Sequence, residues 1–323
     1  MPPPSTAPQP LATLFGDHVR SGLTRSGQKM LPSKYFYDDV GSALFEAISL
    51  LPEYGLSRAD LRLLQKHSEQ VVRRLVSPVI VAELGSGAGK KVRWILEALA
   101  GRQSTCYYPI EISPAALAMC QRELREMDSV TVRGIEGEYL EGLRAAAGAR
   151  QGNDRMLVLF LGSSIGNMQP PEAVVFLKKV RGLLMAGDAL LLGTDLEKPV
   201  SQLIRAYDDA CGVTRAFNLN LLARINRELD ADFNLLHFEH RVRFNRLTHN
   251  VEMHLQSRCS ETVAIPGAGI SASFTEGETI LTECSHKYSL SEVLAMSAEA
   301  GFSCEEQFVD HEWPFAENLL AAE

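Results

Sequence analysis

The sequence predicts an α/β fold: a parallel sheet covered by helices on both faces, with an antiparallel hairpin at its edge, plus a second α+β block. Three observations carry this. Short, near-continuous apolar runs alternate with helical stretches between residues 79 and 195. A glycine-rich turn follows the first of those runs, and after Leu196 the rhythm changes to period-two alternation. Apolar runs spaced by helices mean strands buried on both faces, whereas alternation means strands with one wet face.

The elements follow in order. MPPPSTAPQP at 1–10 is Pro-rich and is expected to be disordered, with neither the charged nor the apolar part of a secretion signal. From Leu11 to about Gln70 the pattern is helical with breaks, at Asp38, Gly41 and Ser42 and again at Pro52 and Gly55. VIVAEL (79–84) is a strand, and Gly-Ser-Gly-Ala-Gly leads from it into a helix beginning at Lys90. CYYPIEI (106–112) is a second strand, and Ser113 caps the helix that opens on Pro114. SVTVRGIEG reads as a third strand, MLVLFLG (156–162) as a fourth and ALLLGTD (189–195) as a fifth. A long helix is expected over about 200–229, then antiparallel strands in HFEHRVRFNR, NVEMHLQSR, GISASF and TILTECSHKY. LSEVLAMSAEAG is a helix, and FSCEEQFVD with FAENLLAA forms the last hairpin.

The chain has 323 residues, long enough for one large domain or two modest ones, and a formal net charge of −8. That acidic balance argues against nucleic acid and against an anionic membrane surface as partners. The longest apolar run, Met156 to Gly162, falls far short of the roughly 20 residues that span a bilayer. Six cysteines without a CxxC pair read as free thiols in a reducing compartment, so a cytoplasmic protein is expected. The eight histidines show no metal-binding spacing, and no metal site is expected.

ELGSGAG (83–89) sits between a strand and a helix, where glycines let the backbone approach a ligand closely. Glu111, at the end of the second strand, stands where an acidic residue holds ribose hydroxyls. The spacing lacks G-x-G-x-x-G because position 90 is Lys. Glu83, just before the glycines, suits a cation such as the sulfonium of S-adenosylmethionine, with NAD as the rival.

Several longer strings are far more specific. YFYDDVGSALFEAISLLPEY (35–54), ELGSGAGKKVR (83–93), FLGSSIGN (160–167), LLLGTDL (190–196), RAYDDACGVTRAFN (205–218), NRELDADF (226–233) and LTECSHKY (281–288) together resemble the histidine N-alpha-methyltransferases of ergothioneine biosynthesis. The resemblance runs from about residue 11 to the C-terminus. It implies a Rossmann-like seven-strand methyltransferase core at 59–196 and 287–323, and a substrate-binding domain at 11–58 and 197–286. The implied reaction is transfer of three methyl groups from S-adenosylmethionine to the α-amino nitrogen of L-histidine, giving hercynine, by a monomer. The resemblance further implies cofactor contacts from Tyr37, Gly85, Lys91, Glu111, Glu138 and Tyr139. Substrate contacts would come from Tyr54, Gly162, Asn167, Tyr207, Met253, Glu283 and Ser285, each of the family's residue type. Four positions depart from its pattern. Glu111 and Glu138 stand where aspartate is usual, and Gly55 with Leu56 replaces a Tyr-Pro pair, which predicts a looser loop there.

The implied chemistry agrees with the residues. Glu283 and Ser285 lie two apart on a predicted strand and so share a face, roughly 7 Å apart, able to bracket an imidazole. Cys284 between them points the other way. Asn167 follows a strand at the carboxyl edge of the sheet and could hold the substrate carboxylate and amine; Tyr54 and Tyr207 could add phenolic hydrogen bonds. Met253 alternates with Val251 and Leu255, a core pattern, and would serve as a pocket wall. Asp208 and Asp209 read as local anchors on the long helix. Methyl transfer needs a neutral amine held in line, and no residue stands out as a dedicated base. Two alternatives remain at this point: a relative acting on tryptophan or tyrosine, and a catalytically idle S-adenosylmethionine-binding regulator.

Overall fold

The computed structural model describes residues 11–323, so the disorder expected at 1–10 lies outside the described residues. In chain order the first helices and strand are α1 (Leu11–Thr24), β1 (Lys29–Met30), α2 (Asp39–Leu50) and α3 (Leu56–Arg73). The βα series follows: β2 (Val79–Leu84), α4 (Arg93–Ala100), β3 (Thr105–Glu111), α5 (Pro114–Glu123), β4 (Val130–Val132), β5 (Ile135–Glu136) and α6 (Tyr139–Gly148). It continues with β6 (Arg155–Phe160), α7 (Pro170–Arg181), β7 (Ala189–Asp195) and α8 (Val200–Tyr207). Next come α9 (Val213–Leu229), β8 (Phe238–Asn245), β9 (Asn250–Ser257), β10 (Glu261–Ile265), β11 (Ile270–Phe274) and β12 (Thr279–His286). The chain closes with α10 (Leu290–Glu299), β13 (Phe302–Asp310) and β14 (Phe315–Ala322).

Two compact units result. The larger comprises Ser49–Ala206, Phe244–Val251 and Ser285–Glu323. Its sheet runs β13-β14-β7-β6-β2-β3-β4, with β5 also paired to β3. Neighbours from β7 through β4 are parallel, while β14 runs antiparallel to both β7 and β13. Every residue of β2 and of β7 is buried, Glu83, Thr194 and Asp195 included, as expected of central strands with helices on both faces. The terminal hairpin therefore enters the sheet with β14 inside and β13 outermost.

The smaller unit holds the described residues up to Ile48 together with Tyr207–Arg243 and Glu252–Cys284. Its sheet order is β1-β12-β9-β8, with β1 parallel to β12, and β10 and β11 form a separate antiparallel pair. Helix α9 seats Phe217 on Phe36, ring centroids 4.5 Å apart. Its buried Asn218 donates to His240 Nδ1 at 2.8 Å and accepts the Thr282 hydroxyl at 2.7 Å, so the amide is satisfied at both ends.

Four sequence expectations change. The single helix over 200–229 is two, because Gly212 adopts φ +74° and Asp209 accepts the N–H groups of Val213 at 2.9 Å and Thr214 at 2.7 Å, opening a new helix there. The third strand is split into β4 and β5 around Arg133 and Gly134. Strands β1 and β10 come from segments with no clear alternation. The division between units also differs from the expected one: 49–58, 197–206, 244–251 and 285–286 fall in the larger unit.

The loop at Gly55 is not loose. A Cβ there would lie 2.2 Å from the Trp313 ring, and both Trp313 and Leu56 are buried, so an indole from the β13–β14 turn fills the place of a side chain at position 55. Gly55→Ala is expected to destabilise the protein by about 1–3 kcal/mol through overpacking. A urea midpoint equal to that of the parent protein would refute the contact.

Candidate active site

The turn after β2 carries three glycines at positive φ, +75° at Gly85, +51° at Gly87 and +76° at Gly89, and this run delays α4 from the expected Lys90 to Arg93. The Gly87 N–H donates to the Glu111 carboxylate at 3.1 Å, which also takes the N–H of Ile112 at 2.8 Å. Glu111 is thus fixed at the carboxyl end of β3, beside the turn. A Cβ at Gly85 would meet the Tyr139 hydroxyl at 3.2 Å, whereas one at Gly87 would meet nothing within 4 Å. Tyr139 packs edge-on against Phe160 at 5.4 Å, and burial pushes its phenol up to about 12. A bare backbone at Gly87, a fixed carboxylate and a neutral phenol together fit a nucleoside-type group.

Glu83 does not serve as a counter-charge for a cation. It is buried and accepts a hydrogen bond from Tyr107. Burial raises its pKa to about 8, against a smaller lowering by Tyr107 and Lys91, so the carboxyl is neutral at pH 7.

Beneath the turn lies a second polar group that the sequence reading missed. Asp60 on α3 is fully buried, and its Oδ2 accepts from Lys91 Nζ at 2.6 Å and from the Gly162 N–H at 3.0 Å. Burial pulls the Lys91 ammonium down, but the Asp60 charge and hydrogen bond outweigh it and leave the pKa above its ordinary value. Glu317 on β14 is buried too, and burial together with the Asp60 charge lifts its carboxyl well above the usual range. Asp60 Oδ1 and both Glu317 carboxyl oxygens are buried without a hydrogen-bond partner among the described residues.

At the end of β7 a third cluster centres on Asp195. Oδ1 accepts from Lys198 Nζ at 2.5 Å and from Trp313 Nε1 at 3.0 Å; Oδ2 accepts from Lys287 Nζ at 2.8 Å. The Asp195 N–H donates to Ser163 Oγ at 2.9 Å, within the FLGSSIGN loop. Lys287 also donates to Ser285 Oγ at 2.8 Å. Burial would raise the Asp195 carboxyl, but the two lysines outweigh it and hold it below its ordinary value. Burial and repulsion from Lys287 bring Lys198 down to about 8.

Comparison with known proteins places this arrangement. The profile of the histidine-specific, S-adenosylmethionine-dependent methyltransferases matches residues 15–322. The chain belongs to that family. It is 40% identical over 285 residues, 88% of this chain and 87% of the relative, to a histidine N-alpha-methyltransferase of Mycolicibacterium smegmatis. A histidine N-alpha-methyltransferase of Mycobacterium tuberculosis is 39% identical over 94% of this chain and 93% of its own. A 4-dimethylallyltryptophan N-methyltransferase of Claviceps purpurea is more distant, 28% identical over 59% of this chain and 58% of its own.

The residues carried over from this methyltransferase family divide between the two units. In the larger unit are Gly85, Lys91, Glu111, Glu138 and Tyr139, with Tyr54, Gly162, Asn167 and Ser285. Gly85 and Tyr139 touch, and Lys91 and Gly162 share Asp60. Glu138 is exposed at the start of α6, Asn167 is exposed at the end of the turn Ser164–Asn167, and Tyr54 and Ser285 are buried. In the smaller unit are Tyr37, Tyr207, Met253 and Glu283. Tyr37 lies edge-on to Phe45 and to Phe217, and Glu283 is half-buried on β12. Met253 is buried in line with Val251 and Leu255, as the alternation implied. Among the described residues one trio, His237, Cys259 and Glu261, brings potential metal donors within 4.8 Å of one another. His237 is already engaged at both ring nitrogens, Nδ1 with Glu261 at 2.8 Å and Nε2 with the Asn234 amide at 3.0 Å.

The missed groups left a trace in the sequence. Asp60 sits on the same helical stripe as Leu56, Ala59, Leu63 and Leu64, all buried, and Glu317 interrupts an apolar strand. A charge on a buried stripe needs a partner.

Two outcomes are expected in this methyltransferase. Between pH 4.5 and about 8 the folded chain keeps a proton on Glu83 that the unfolded chain has lost, so stability falls as pH rises, by at most about 1.4 kcal/mol per pH unit. Glu83→Gln retains an acceptor for Tyr107 and flattens that part of the denaturation profile; equal slopes would contradict a neutral Glu83. Asp60→Ala strips Lys91 of its counter-charge and should cost about 1–3 kcal/mol, less than a fully dry pair because the Lys91 side chain is 31% exposed. Unchanged stability would show that the pair is not formed.

Proposed function

We propose that this chain trimethylates the α-amino group of L-histidine at the expense of S-adenosylmethionine, giving hercynine, the first step of ergothioneine biosynthesis. The observation that carries the substrate is the face of β12 on which Glu283 and Ser285 stand two residues apart, a carboxylate and a hydroxyl suited to the two nitrogens of an imidazole. Family membership supports the same reading.

Tyr37, Gly85, Lys91, Glu111, Glu138 and Tyr139 are the residues proposed to hold S-adenosylmethionine. When bound, that cosubstrate supplies a methyl group on a positively charged sulfur. The protein's own part is positioning. Asn167 presents an amide N–H to the substrate carboxylate and a carbonyl to the α-amine, Gly162 its backbone, and Tyr54 and Tyr207 their phenols. Met253 forms a wall. The attacking nitrogen must be neutral, and its proton leaves to water rather than to an assigned base. The growing bulk and final fixed charge on nitrogen require a pocket that accommodates a cation without a buried, unpaired partner. We further propose that the enzyme acts as a cytoplasmic monomer on small molecules; among the described residues no helix is long and apolar enough to cross a membrane.

Incubation with L-histidine and S-adenosylmethionine is expected to yield the trimethylated amino acid by mass spectrometry. Glu283→Ala should lower kcat/KM for histidine by roughly 10–100-fold, the worth of a charged hydrogen bond, with S-adenosylhomocysteine binding unchanged. Methylation of tryptophan or tyrosine but not histidine would overturn the substrate, and no methylation of any amino acid would favour a binding protein.

A further inference from the structure

Asp60 lies outside both contact sets proposed above, yet one of its oxygens holds a member of each. Oδ2 accepts from Lys91 Nζ at 2.6 Å and from the Gly162 N–H at 3.0 Å. Lys91 is among the proposed cofactor contacts and Gly162 among the proposed substrate contacts, and all three residues belong to the larger unit. The ammonium also takes the place of a side chain at Gly162, where φ is +69° and a Cβ would stand 3.2 Å from Lys91 Nζ. Gly193 on β7 leaves room for this approach. A Cβ there would meet the Gly162 nitrogen at 3.1 Å and Glu317 Oε1 at 2.9 Å.

Stability alone does not call for a charge at position 60. The residue falls on the buried stripe of α3 with Leu56, Ala59, Leu63 and Leu64, where an apolar side chain would spare the fold a dehydrated ion. Its Oδ1 is buried without a hydrogen-bond partner among the described residues, so the carboxylate is not fully satisfied by the pair it makes. What the carboxylate does achieve is geometric. One oxygen can accept two hydrogen bonds, and here the donors come from the segment after the glycine turn and from the loop after β6. Both are thereby set against one point of a buried helix face.

We propose that Asp60 is a positioning residue of the proposed methyl transfer, holding the cofactor side at Lys91 and the substrate side at Gly162 in fixed register through one oxygen. The inference rests on the contacts assigned in that proposal and deepens it. Asp60 is fully buried and acts through others: on Lys91 by charge, on Gly162 by a hydrogen bond to the backbone. The two actions are separable. Asp60→Asn removes the charge but keeps an oxygen able to accept from Gly162, since the reversed amide would set an NH2 group against two donors. Asp60→Ala removes both actions. Gly193→Ala leaves Asp60 and Lys91 in place and presses on the Gly162 nitrogen.

The test is calorimetric titration of the full chain with S-adenosylhomocysteine, then with L-histidine at saturating S-adenosylhomocysteine, alongside thermal melting. Asp60→Ala should weaken both ligands by roughly 2–30-fold. Asp60→Asn should weaken S-adenosylhomocysteine over the same range while histidine stays within about twofold of the parent protein. Should Asp60→Ala not fold, Gly193→Ala supplies the other half, weakening histidine by roughly 2–30-fold with S-adenosylhomocysteine held within about twofold. A lowered melting temperature with both affinities at the parent's values makes Asp60 a structural residue only and overturns the proposal. Equal losses for the two ligands in Asp60→Asn, or in Gly193→Ala, overturn the division between charge and backbone on which it stands. In those cases the parent protein still binds both ligands and the methyltransferase reading survives, whereas a parent protein that binds neither would sink that reading and the inference with it.

Discussion

Asp195 is the constraint on which the larger unit's polar architecture depends. One carboxylate at the end of a fully buried strand receives two ammonium groups and an indole N–H, while its own N–H holds Ser163 and its carbonyl accepts from Tyr288 at 3.0 Å. Five pieces of chain meet there: β7, the segment carrying Lys198, the FLGSSIGN loop, the run after β12 and the β13–β14 turn. Each buried ion costs several kcal/mol to dehydrate, so the arrangement stands only because every charge has a partner within hydrogen-bond reach. Burial, helped by repulsion from Lys287 and opposed by Asp195, explains why Lys198 gives up its proton more readily than an ordinary lysine. Through Lys287 the same cluster also reaches Ser285, whose Oγ accepts from Lys287 Nζ at 2.8 Å.

The Asp60 cluster obeys the same rule with opposite sign. Two carboxyl groups face one ammonium, and the surplus acid is relieved by keeping Glu317 protonated. Asp60 takes both the Lys91 ammonium and the Gly162 N–H on one oxygen, so helix α3, the segment after the glycine turn and the loop after β6 are tied through a single atom. Small shifts of α3 would therefore reach both loops at once, since a packed interior transmits displacement rather than absorbing it.

Most of the fold was legible in the sequence because burial writes itself as pattern. Strands β2, β6 and β7 are apolar along most of their length, and Ser113 with Pro114 marks the start of α5, where Ser113 Oγ accepts the Ala116 N–H at 3.3 Å. What escaped has no local signature. The break at Gly212 depends on Asp209 reaching forward to cap α9, and the two-residue strand β1 exists only by pairing with β12, some 250 residues away. At the site, glycines and motif residues were visible, but Asp60, Asp195, Glu317 and Lys287 act through partners distant in sequence. Trp313 filling the space beside Gly55 is the same kind of fact: the glycine is local, the indole is not.

Charge shows most plainly what the structure adds. The formal net charge of −8 counts Glu83 and Glu317 as carboxylates, yet both are buried and held protonated above the ordinary range. The acids nearest the glycine turn are therefore not a pool of negative charge awaiting a cation. Asp60 is matched by Lys91, Asp195 is more than matched by two lysines, and Glu111 is partly spent on backbone N–H groups. A site so nearly neutralised suits a reaction that starts with one cation on sulfur and ends with another on nitrogen. Strong negative charge would bind both ends of that reaction alike and retain the product, whereas equal binding of ground and transition states gains nothing in rate.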